Sequence, residues 1–216
     1  TRKESSAASD VYKRQTKITV VINKIMKKLF LIITILIATI NQSTANDLKD
    51  FQIEGVSIGE SLLKYGSLKE IKAIESGIKY KSDNFITYRF EKIHPLKKYD
   101  KMNVSVKNGD KKFIIQGMSG ILYYESLDKC NSYKKEIQSI VEKEFIIDDK
   151  DITKFPSDQD STGKSMIYGI QNYLKPYPRL ESITINCFHF TKESKMNSNL
   201  KVGVNTHEFL DFIINN

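Results

Sequence analysis

The chain has 216 residues, of which 40% are hydrophobic and 28% are charged, and its formal net charge is +8. This composition is typical of a globular protein with a hydrophobic core, and it excludes the disordered, collagen-like and multi-span membrane classes. Two cysteines are too few for a disulfide-rich scaffold, and the 11 tyrosines and 11 phenylalanines supply large core side chains in a chain without tryptophan.

The first 25 residues precede a methionine and need their own explanation. Residues 10–15 read Asp-Val-Tyr-Lys-Arg-Gln, which resembles the in-frame translation of the transposon mosaic-end adapter used in sequencing libraries. We interpret residues 1–25 as an artefact of the gene model, with translation starting at Met26. A disordered basic extension is the alternative.

Residues 26–45 have the three parts of a secretory signal peptide. Two lysines follow the methionine, residues 29–40 form an apolar stretch, and Ser43 and Ala45 are small residues at the positions that signal peptidase reads. The apolar stretch is shorter than the roughly 20 residues that span a bilayer. The sequence therefore predicts cleavage near Ala45, a periplasmic or secreted protein, and membrane contact only during export. A retained anchor helix is the alternative.

Most of the positive charge lies in this leader. Residues 1–45 hold eight basic and two acidic residues, which is a net charge of +6. Residues 46–216 hold 26 basic and 24 acidic residues, so the predicted exported domain is nearly neutral. We therefore expect no nucleic-acid partner for this domain, because it lacks the basic surface that phosphate binding needs.

The exported part begins with two helix-start signatures. The motifs at residues 57–60 and 67–70 both place a glutamate three residues after a serine. In such a capping box the serine accepts a backbone N–H group and the glutamate reaches back to the cap. The sequence predicts helices over residues 58–65 and 68–75.

A strand region follows. Apolar and polar residues alternate over residues 86–90 and 102–106, which indicates two half-buried strands. Asn108-Gly109 is a preferred pair for a two-residue hairpin turn. This turn predicts three cross-strand pairs, which are Val106 with Lys111, Val104 with Phe113, and Met102 with Ile115.

The middle of the chain mixes a bend, a helix and a loop. Residues 117–120 contain two glycines and predict a bend before a strand over residues 121–124. From Leu127 the apolar period becomes helical for about 17 residues, with Cys130 on the apolar stripe. The acidic residues 148–163 predict a solvated loop.

The last part of the chain resumes strands. Strands are predicted over residues 165–174, 182–190 and 200–206, and a last helical turn over residues 208–214. Helices followed by about three antiparallel strands thus occur twice. This order predicts a single α+β domain over residues 46–216, with helices packed on one face of an antiparallel sheet and a pseudo-duplicated helix-plus-three-strand unit.

Three motifs resemble catalytic or nucleotide-binding sites, and each lacks a required residue. Residues 58–62, Ile-Gly-Glu-Ser-Leu, resemble the Gly-Asp-Ser-Leu block of an esterase family, but the C-terminal region lacks the Asp-x-x-His partner. Residues 117–121 lack the final glycine of a nucleophile elbow. Residues 161–165 resemble the end of a phosphate-binding loop, but Asp158 stands where that loop needs glycine.

The histidines and cysteines show no metal-ligand spacing. His94, His189 and His207 are far apart, and the cysteines form no C-x-x-C pair. We therefore predict no metal, no cofactor and no catalytic residue. A site that the fold assembles from His189, His207 and nearby acids is the alternative left open.

The two cysteines are predicted to pair with each other. Export implies an oxidising compartment, where two cysteines in one domain usually form a disulfide. Cys130 lies on the apolar stripe of its helix, and Cys187 shares a strand face with Ile183 and Ile185. Both therefore point to the same helix-sheet interface. Two free buried thiols are the alternative to a Cys130–Cys187 bond.

Three segments resemble a group of small exported proteins of marine alphaproteobacteria. They are Asp-Phe-Gln-Ile-Glu-Gly-Val-Ser-Ile-Gly-Glu-Ser-Leu-Leu at residues 50–63, Gly-Met-Ser-Gly-Ile-Leu-Tyr-Tyr at residues 117–124, and His-Glu-Phe-Leu-Asp-Phe-Ile at residues 207–213. The resemblance implies export and a compact α+β domain, and it implies no site residues.

The function that the sequence favours is binding. Because no motif passes its spacing test, we expect a non-enzymatic periplasmic binding or envelope-associated module whose partner is an envelope protein or a small ligand. The alternative is a periplasmic hydrolase that uses dispersed serine, histidine and acidic residues.

Overall fold

The structure is a computed structural model that describes residues 47–76, 78 and 80–215. The predicted extension, signal peptide and cleavage site therefore lie outside the described residues. The described helices are α1 (Leu68–Ala73), α2 (Leu127–Glu144) and α3 (His207–Asn215). The described strands are β1 (Gln52–Ile53), β2 (Val56–Ser57), β3 (Phe85–Arg89), β4 (Lys101–Lys107), β5 (Ile115–Tyr123), β6 (Asp149–Pro156), β7 (Met166–Tyr173), β8 (Ser182–His189) and β9 (Asn199–Asn205).

Seven strands form one antiparallel sheet in the order β3-β4-β5-β9-β8-β7-β6, and β1 pairs with β2 in a separate two-stranded sheet. The fold is therefore mixed α+β with an antiparallel sheet, as the sequence predicts. Two meanders, β3 to β5 and β6 to β9, meet where β5 pairs with β9. The second meander has four strands, and the duplication of a helix-plus-three-strand unit stays a prediction.

The two faces of the large sheet differ in chemistry. Because side chains alternate along a strand, Ile183, Ile185 and Cys187 of β8 share one face, here called the disulfide face. Thr184 and Asn186 lie on the other face, here called the polar face. Strand register continues the disulfide face through the buried side chains of Met102, Val104, Met118, Leu200, Val202 and Val204. The main core therefore lies on the disulfide face.

The helices lie on both faces of the sheet. Cys130 of α2 is bonded to Cys187, with a Cα–Cα distance of 6.1 Å, so α2 lies on the disulfide face. The ring of Phe209 of α3 lies directly over Gly117 of β5, on the polar face. The prediction that the helices share one face therefore does not hold for α3, which forms a second apolar cluster with Phe85 of β3.

β5 runs without the predicted bend. The Phe209 ring occupies the space that a Cβ atom on Gly117 would need. A Cβ atom on Gly120 would lie 2.7 to 2.9 Å from ring carbons of Tyr99 on the opposite face. The two glycines therefore lie within β5, where they admit aromatic rings, and they do not mark a turn.

The predicted hairpin register after β4 is wrong. Val106 pairs with Ile115 and not with Lys111. Beyond a register shift between Ser105 and Val106, Val104 pairs with Met118 and Met102 with Gly120. The Asp110 carboxylate accepts two backbone N–H groups of the following loop, at 2.9 and 2.8 Å. These bonds organise a loop longer than two residues, so Asn-Gly does not form the whole connection.

Only the second predicted N-terminal helix forms as expected. α1 begins at the capping box of Ser67. The Ser67 hydroxyl accepts the backbone N–H of Glu70, and the Glu70 carboxylate accepts the backbone N–H of Ser67. The predicted helix over residues 58–65 is wrong, because only a single 3-10 turn forms at Leu62–Lys64. Backbone N–H groups of this segment donate instead to the carbonyl oxygens of Phe113 and Ile115.

The predicted solvated loop over residues 148–163 is wrong in its first half, since β6 occupies Asp149–Pro156 and pairs with β7, and it holds for residues 157–163. Every residue of β6 is exposed. An edge strand of this kind carries charged residues that discourage pairing with other chains. Without a buried face it lacks the alternation that reveals a strand.

Asp160 organises the loop that follows β6. Its carboxylate accepts the hydroxyl groups of Ser165 at 2.5 Å and of Thr162 at 2.8 Å, together with the backbone N–H groups of the same two residues at 3.0 and 2.9 Å. The Ser165 hydroxyl and then these further donors hold the pKa of Asp160 down to about 2.

This network predicts an acid-sensitive contribution to stability. Because the folded-state pKa of Asp160 lies below its usual value, the contribution is fully present above about pH 4 and is lost as pH falls toward 2. We expect Asp160→Asn to unfold at lower urea concentration than the wild type at pH 6. The difference between the two should shrink at pH 2.5. Asp158→Asn, an exposed change in the same loop, is the control and should match the wild type.

Candidate functional site

A large groove opens beside α2 on the disulfide face. Its volume is about 1010 Å³, comparable to the upper range of small-molecule sites. α2 forms one wall, and the β1–β2 turn together with residues 94–99 forms the other. Leu122 of β5 and Leu200 of β9 lie on its floor. Below, this concavity is called the groove.

Apolar side chains line most of the groove. Tyr133, Ile137 and Ile140 project from α2, and Phe51 and Tyr99 face them. Ile140 is 49% exposed, although it continues the apolar stripe of its helix. The stripe therefore extends beyond the surface that the sheet covers. Exposed apolar surface inside a concavity is typical of a ligand-binding site.

The β1–β2 turn fixes the position of the wall opposite α2. Glu54 and Gly55 have φ angles of 56° and 79°, the left-handed pair that a two-residue type I′ turn requires. The Glu54 carboxylate accepts the successive backbone N–H groups of Lys97, Lys98 and Tyr99, at 2.9, 2.6 and 3.0 Å. One side chain thus ties residues 97–99 to the N-terminal hairpin.

The carboxylate of Glu54 is ionised in this arrangement. Partial burial raises the pKa of Glu54, but the three N–H donors outweigh burial and hold the pKa below its usual value. Its oxygen atoms are therefore occupied by the backbone N–H groups of residues 97–99, and Glu54 does not act as a free acid in the groove.

An aromatic contact closes one end of the groove. The rings of Phe51 and Phe145, the residue after α2, lie with their centroids 5.9 Å apart. On the opposite wall, the ring of His94 packs against Tyr65 at 5.6 Å and Phe90 at 5.1 Å. His94 is therefore held by aromatic packing at the groove.

Charged groups of both signs lie at the mouth of the groove. Lys97 and Lys98 are exposed, and within residues 47–76, 78 and 80–215 neither ammonium group forms an ion pair. Across from them, Glu136 and Glu144 line α2, and Glu144 pairs with the neighbouring Lys143 at 3.3 Å. Lysines on one wall and glutamates on the other therefore flank an apolar interior.

The serine and histidine residues that the structure describes do not form a hydrolytic arrangement. Ser165 is fully buried, and its hydroxyl donates to Asp160 at 2.5 Å. Nδ1 of His189 is buried and has no hydrogen-bond partner among the described residues, and His207 is the first residue of α3. In the described part of the chain, no hydrogen bond joins a histidine side chain to a serine.

The predicted disulfide between Cys130 and Cys187 holds in place the helix that forms one wall of the groove. Cys130 and Cys187 are both fully buried and joined, which anchors α2 to β8. The sequence predicts this disulfide, but it does not indicate that Glu54, Lys97 and Ile140 line a groove. The Glu-Gly turn between two apolar residues was the available signal for the hairpin, but nothing local indicated which backbone Glu54 would bind.

Two other findings concern the described part of the chain. No helix there is both long and apolar enough to cross a membrane. No three histidine, cysteine, aspartate or glutamate residues in those ranges form a group that can hold a metal ion.

No family model, curated protein or solved structure matches the sequence.

Proposed function

We propose that the protein is an exported, non-enzymatic binding protein of the periplasm, and that its groove takes a small amphipathic ligand with an apolar body and an anionic head group. The observation that carries the proposal is the groove of about 1010 Å³, with its apolar interior and the two adjacent exposed lysines at its mouth. The ligand would lie along α2, with its head group at Lys97 and Lys98.

Three features support export. The disulfide joins two fully buried cysteines, and such bonds are rare in cytosolic proteins. Residues 26–45 have the pattern of a signal peptide, with cleavage near Ala45. The resemblance to small exported proteins of marine alphaproteobacteria agrees with both, and residues 1–25 are proposed to be foreign to the protein.

The apolar lining supports an apolar ligand body. Ile140 is about half exposed, and Ile137, Tyr99 and Tyr133 are half-buried around it. A ligand that covers these side chains would remove apolar surface from water, which contributes about 25 cal/mol for each Å² buried. Such a gain does not require any group in the protein to move.

The charges at the mouth support an anionic head group. The Glu54 carboxylate accepts three backbone N–H groups, and Glu144 pairs with Lys143. No ion pair joins Lys97 or Lys98 to an acid among the described residues, although Lys97 and the Glu54 carboxylate attract each other. Lys97 and Lys98 therefore offer two adjacent ammonium groups on this wall of the groove, and an anion beside them would form charge-assisted hydrogen bonds.

Two matched dyes test the proposal on the purified exported protein. Anilinonaphthalene sulfonate has an apolar body and a sulfonate group, whereas N-phenyl-1-naphthylamine has a similar body without charge. We expect both dyes to bind saturably and to be displaced by dodecanoate. Lys97→Gln with Lys98→Gln should weaken the sulfonate dye roughly three- to tenfold and leave the neutral dye unchanged, since partly exposed charge contacts have modest energies.

Two controls separate the groove from the rest of the surface. Ile140→Glu should weaken both dyes, while Ile146→Glu, at an exposed residue outside the groove, should weaken neither. Lys129→Gln with Lys135→Gln removes the same charge from the part of α2 outside the groove. Equal weakening by both lysine pairs would contradict an anionic head group at Lys97 and Lys98. Binding that is insensitive to Ile140→Glu would contradict the groove as the site.

A further inference from the structure

The polar face carries an unpaired lysine near its centre. Lys201 of β9 lies between Ile121 of β5 and Asn186 of β8 in the strand register. Its side chain is half-buried. Within the described ranges it forms no hydrogen bond and no ion pair. An ammonium group that is partly removed from water without a partner is unfavourable, so the missing partner needs an explanation.

No charged neighbour in the described part of the chain offsets that burial. Burial alone lowers the pKa of Lys201, and no acidic group contributes to the shift. By register, the nearest charged residue on this face is Lys101 of β4, whose ammonium lies 5.4 Å from the centre of the Tyr123 ring. Asp149 and Asp151 lie three strands away on β6. The centre of the polar face is therefore positive and uncompensated.

Neutral donors surround the lysine. Asn186 lies directly opposite Lys201 on β8. Ser119 and Thr184 lie on the same face of the flanking strands, each opposite the residue two positions after Lys201 in β9. None of these three side chains has a hydrogen-bond partner among the described residues. Their polar atoms are also not sealed from solvent. Four adjacent polar side chains are therefore free to bind something outside the protein.

Glycines leave space above this part of the sheet. The Oγ1 atom of Thr184 lies 2.6 Å from the position that a Cβ atom on Gly203 would occupy. The Oδ1 atom of Asn186 lies 2.5 Å from the corresponding position on Gly169. A side chain at either glycine would displace these polar groups. The two glycines thus keep a shallow polar surface around Lys201.

We propose that the polar face binds an oxyanion, a carboxylate or phosphate group of a ligand, at Lys201, with the neighbouring hydroxyl and amide side chains completing the site. The charge complements the uncompensated ammonium, and the free donors match the several acceptor lone pairs of an oxyanion. This site lies on the face opposite the groove and does not depend on the proposed function.

Titration of the isotope-labelled protein with inorganic phosphate and, separately, with acetate tests the site at constant ionic strength set with chloride. At least one oxyanion should give saturable amide shifts at Lys201 and Asn186, and the tighter of the two identifies the preferred group. Lys201→Gln should weaken that binding about tenfold or more, and Lys201→Arg should retain it within about threefold. The arginine variant shows that loss in the glutamine variant reflects charge and not misfolding.

The control is Lys154→Gln, which removes a lysine of β6 that lies over the Tyr168 ring on the disulfide face. It should leave oxyanion affinity unchanged. Shifts that never saturate, or that persist in Lys201→Gln, would overturn the proposal. Because Lys201→Gln should also leave dye binding in the groove unchanged, the outcome is separate from that of the proposed function.

Discussion

Replacing both cysteines with alanine should lower the free energy of unfolding by about 4 kcal/mol in the chain-entropy description of a cross-link. Cys130 and Cys187 are separated by 57 residues, so the bond restricts a long segment of the unfolded chain. Both are fully buried between α2 and β8. Urea unfolding monitored by circular dichroism measures the change.

The wild type in reducing buffer is the control for this experiment. Reduction breaks the bond but keeps both sulfur atoms, so it does not create the small cavities that alanine leaves. The reduced wild type should therefore lose slightly less stability than Cys130→Ala with Cys187→Ala. Equal unfolding midpoints for the oxidised and reduced wild type would show that the cross-link does not stabilise the fold.

Replacing Gln138 with alanine should cost about 2 to 3 kcal/mol, because it leaves a buried amide without its partner. Gln138 of α2 and Asn172 of β7 exchange two hydrogen bonds, of 2.8 and 2.9 Å, and Asn172 is fully buried. The Asn172 amide also donates to the carbonyl of Ile183 at 3.3 Å. In the alanine variant this amide would lose two of its three bonds.

Two further variants give this prediction a sharp control. Gln138→Met with Asn172→Leu removes both polar groups at similar volume, so it should recover most of the stability. Glu142→Ala removes the exposed end of the same network, where Glu142 pairs with Lys150 at 2.9 Å, and should cost less than about 1 kcal/mol. If Gln138→Ala costs no more than Glu142→Ala, the buried pair does not contribute as argued.

The sequence predicts best those elements whose apolar period is complete. α2 has the helical period throughout and occupies Leu127–Glu144. β7, β8 and β9 lie within a residue or two of their predicted ranges, since each buries one face against α2 or its neighbours. The cysteine pair follows from the same reasoning, because both residues lie on stripes that face one interface.

The errors arise where distant contacts decide the local structure. Gly117 and Gly120 have the composition of a bend, but they are needed because Phe209 and Tyr99 lie over them. β6 was missed because an exposed edge strand has no buried face to reveal it. In each case the deciding partner is far along the chain and leaves no mark on the local pattern.

The groove could not be predicted for the same reason. Its walls come from residues 50–55, 94–99 and 133–145, and only the fold brings them together. Glu54 is an ordinary turn residue in the sequence, yet it binds the backbone more than 40 residues later. Ile140 reads as core, because a sequence cannot show that the sheet stops short of it.

The most direct test of the groove is the position of a bound ligand. Dodecanoate added to the protein should give intermolecular nuclear Overhauser effects from its methylene protons to Ile137, Ile140 and Tyr99. Its carboxylate should shift the amide signals of Lys97 and Lys98. Methylene contacts on the polar face, or the lack of any saturable contact with the walls of the groove, would contradict the groove as the ligand-binding site.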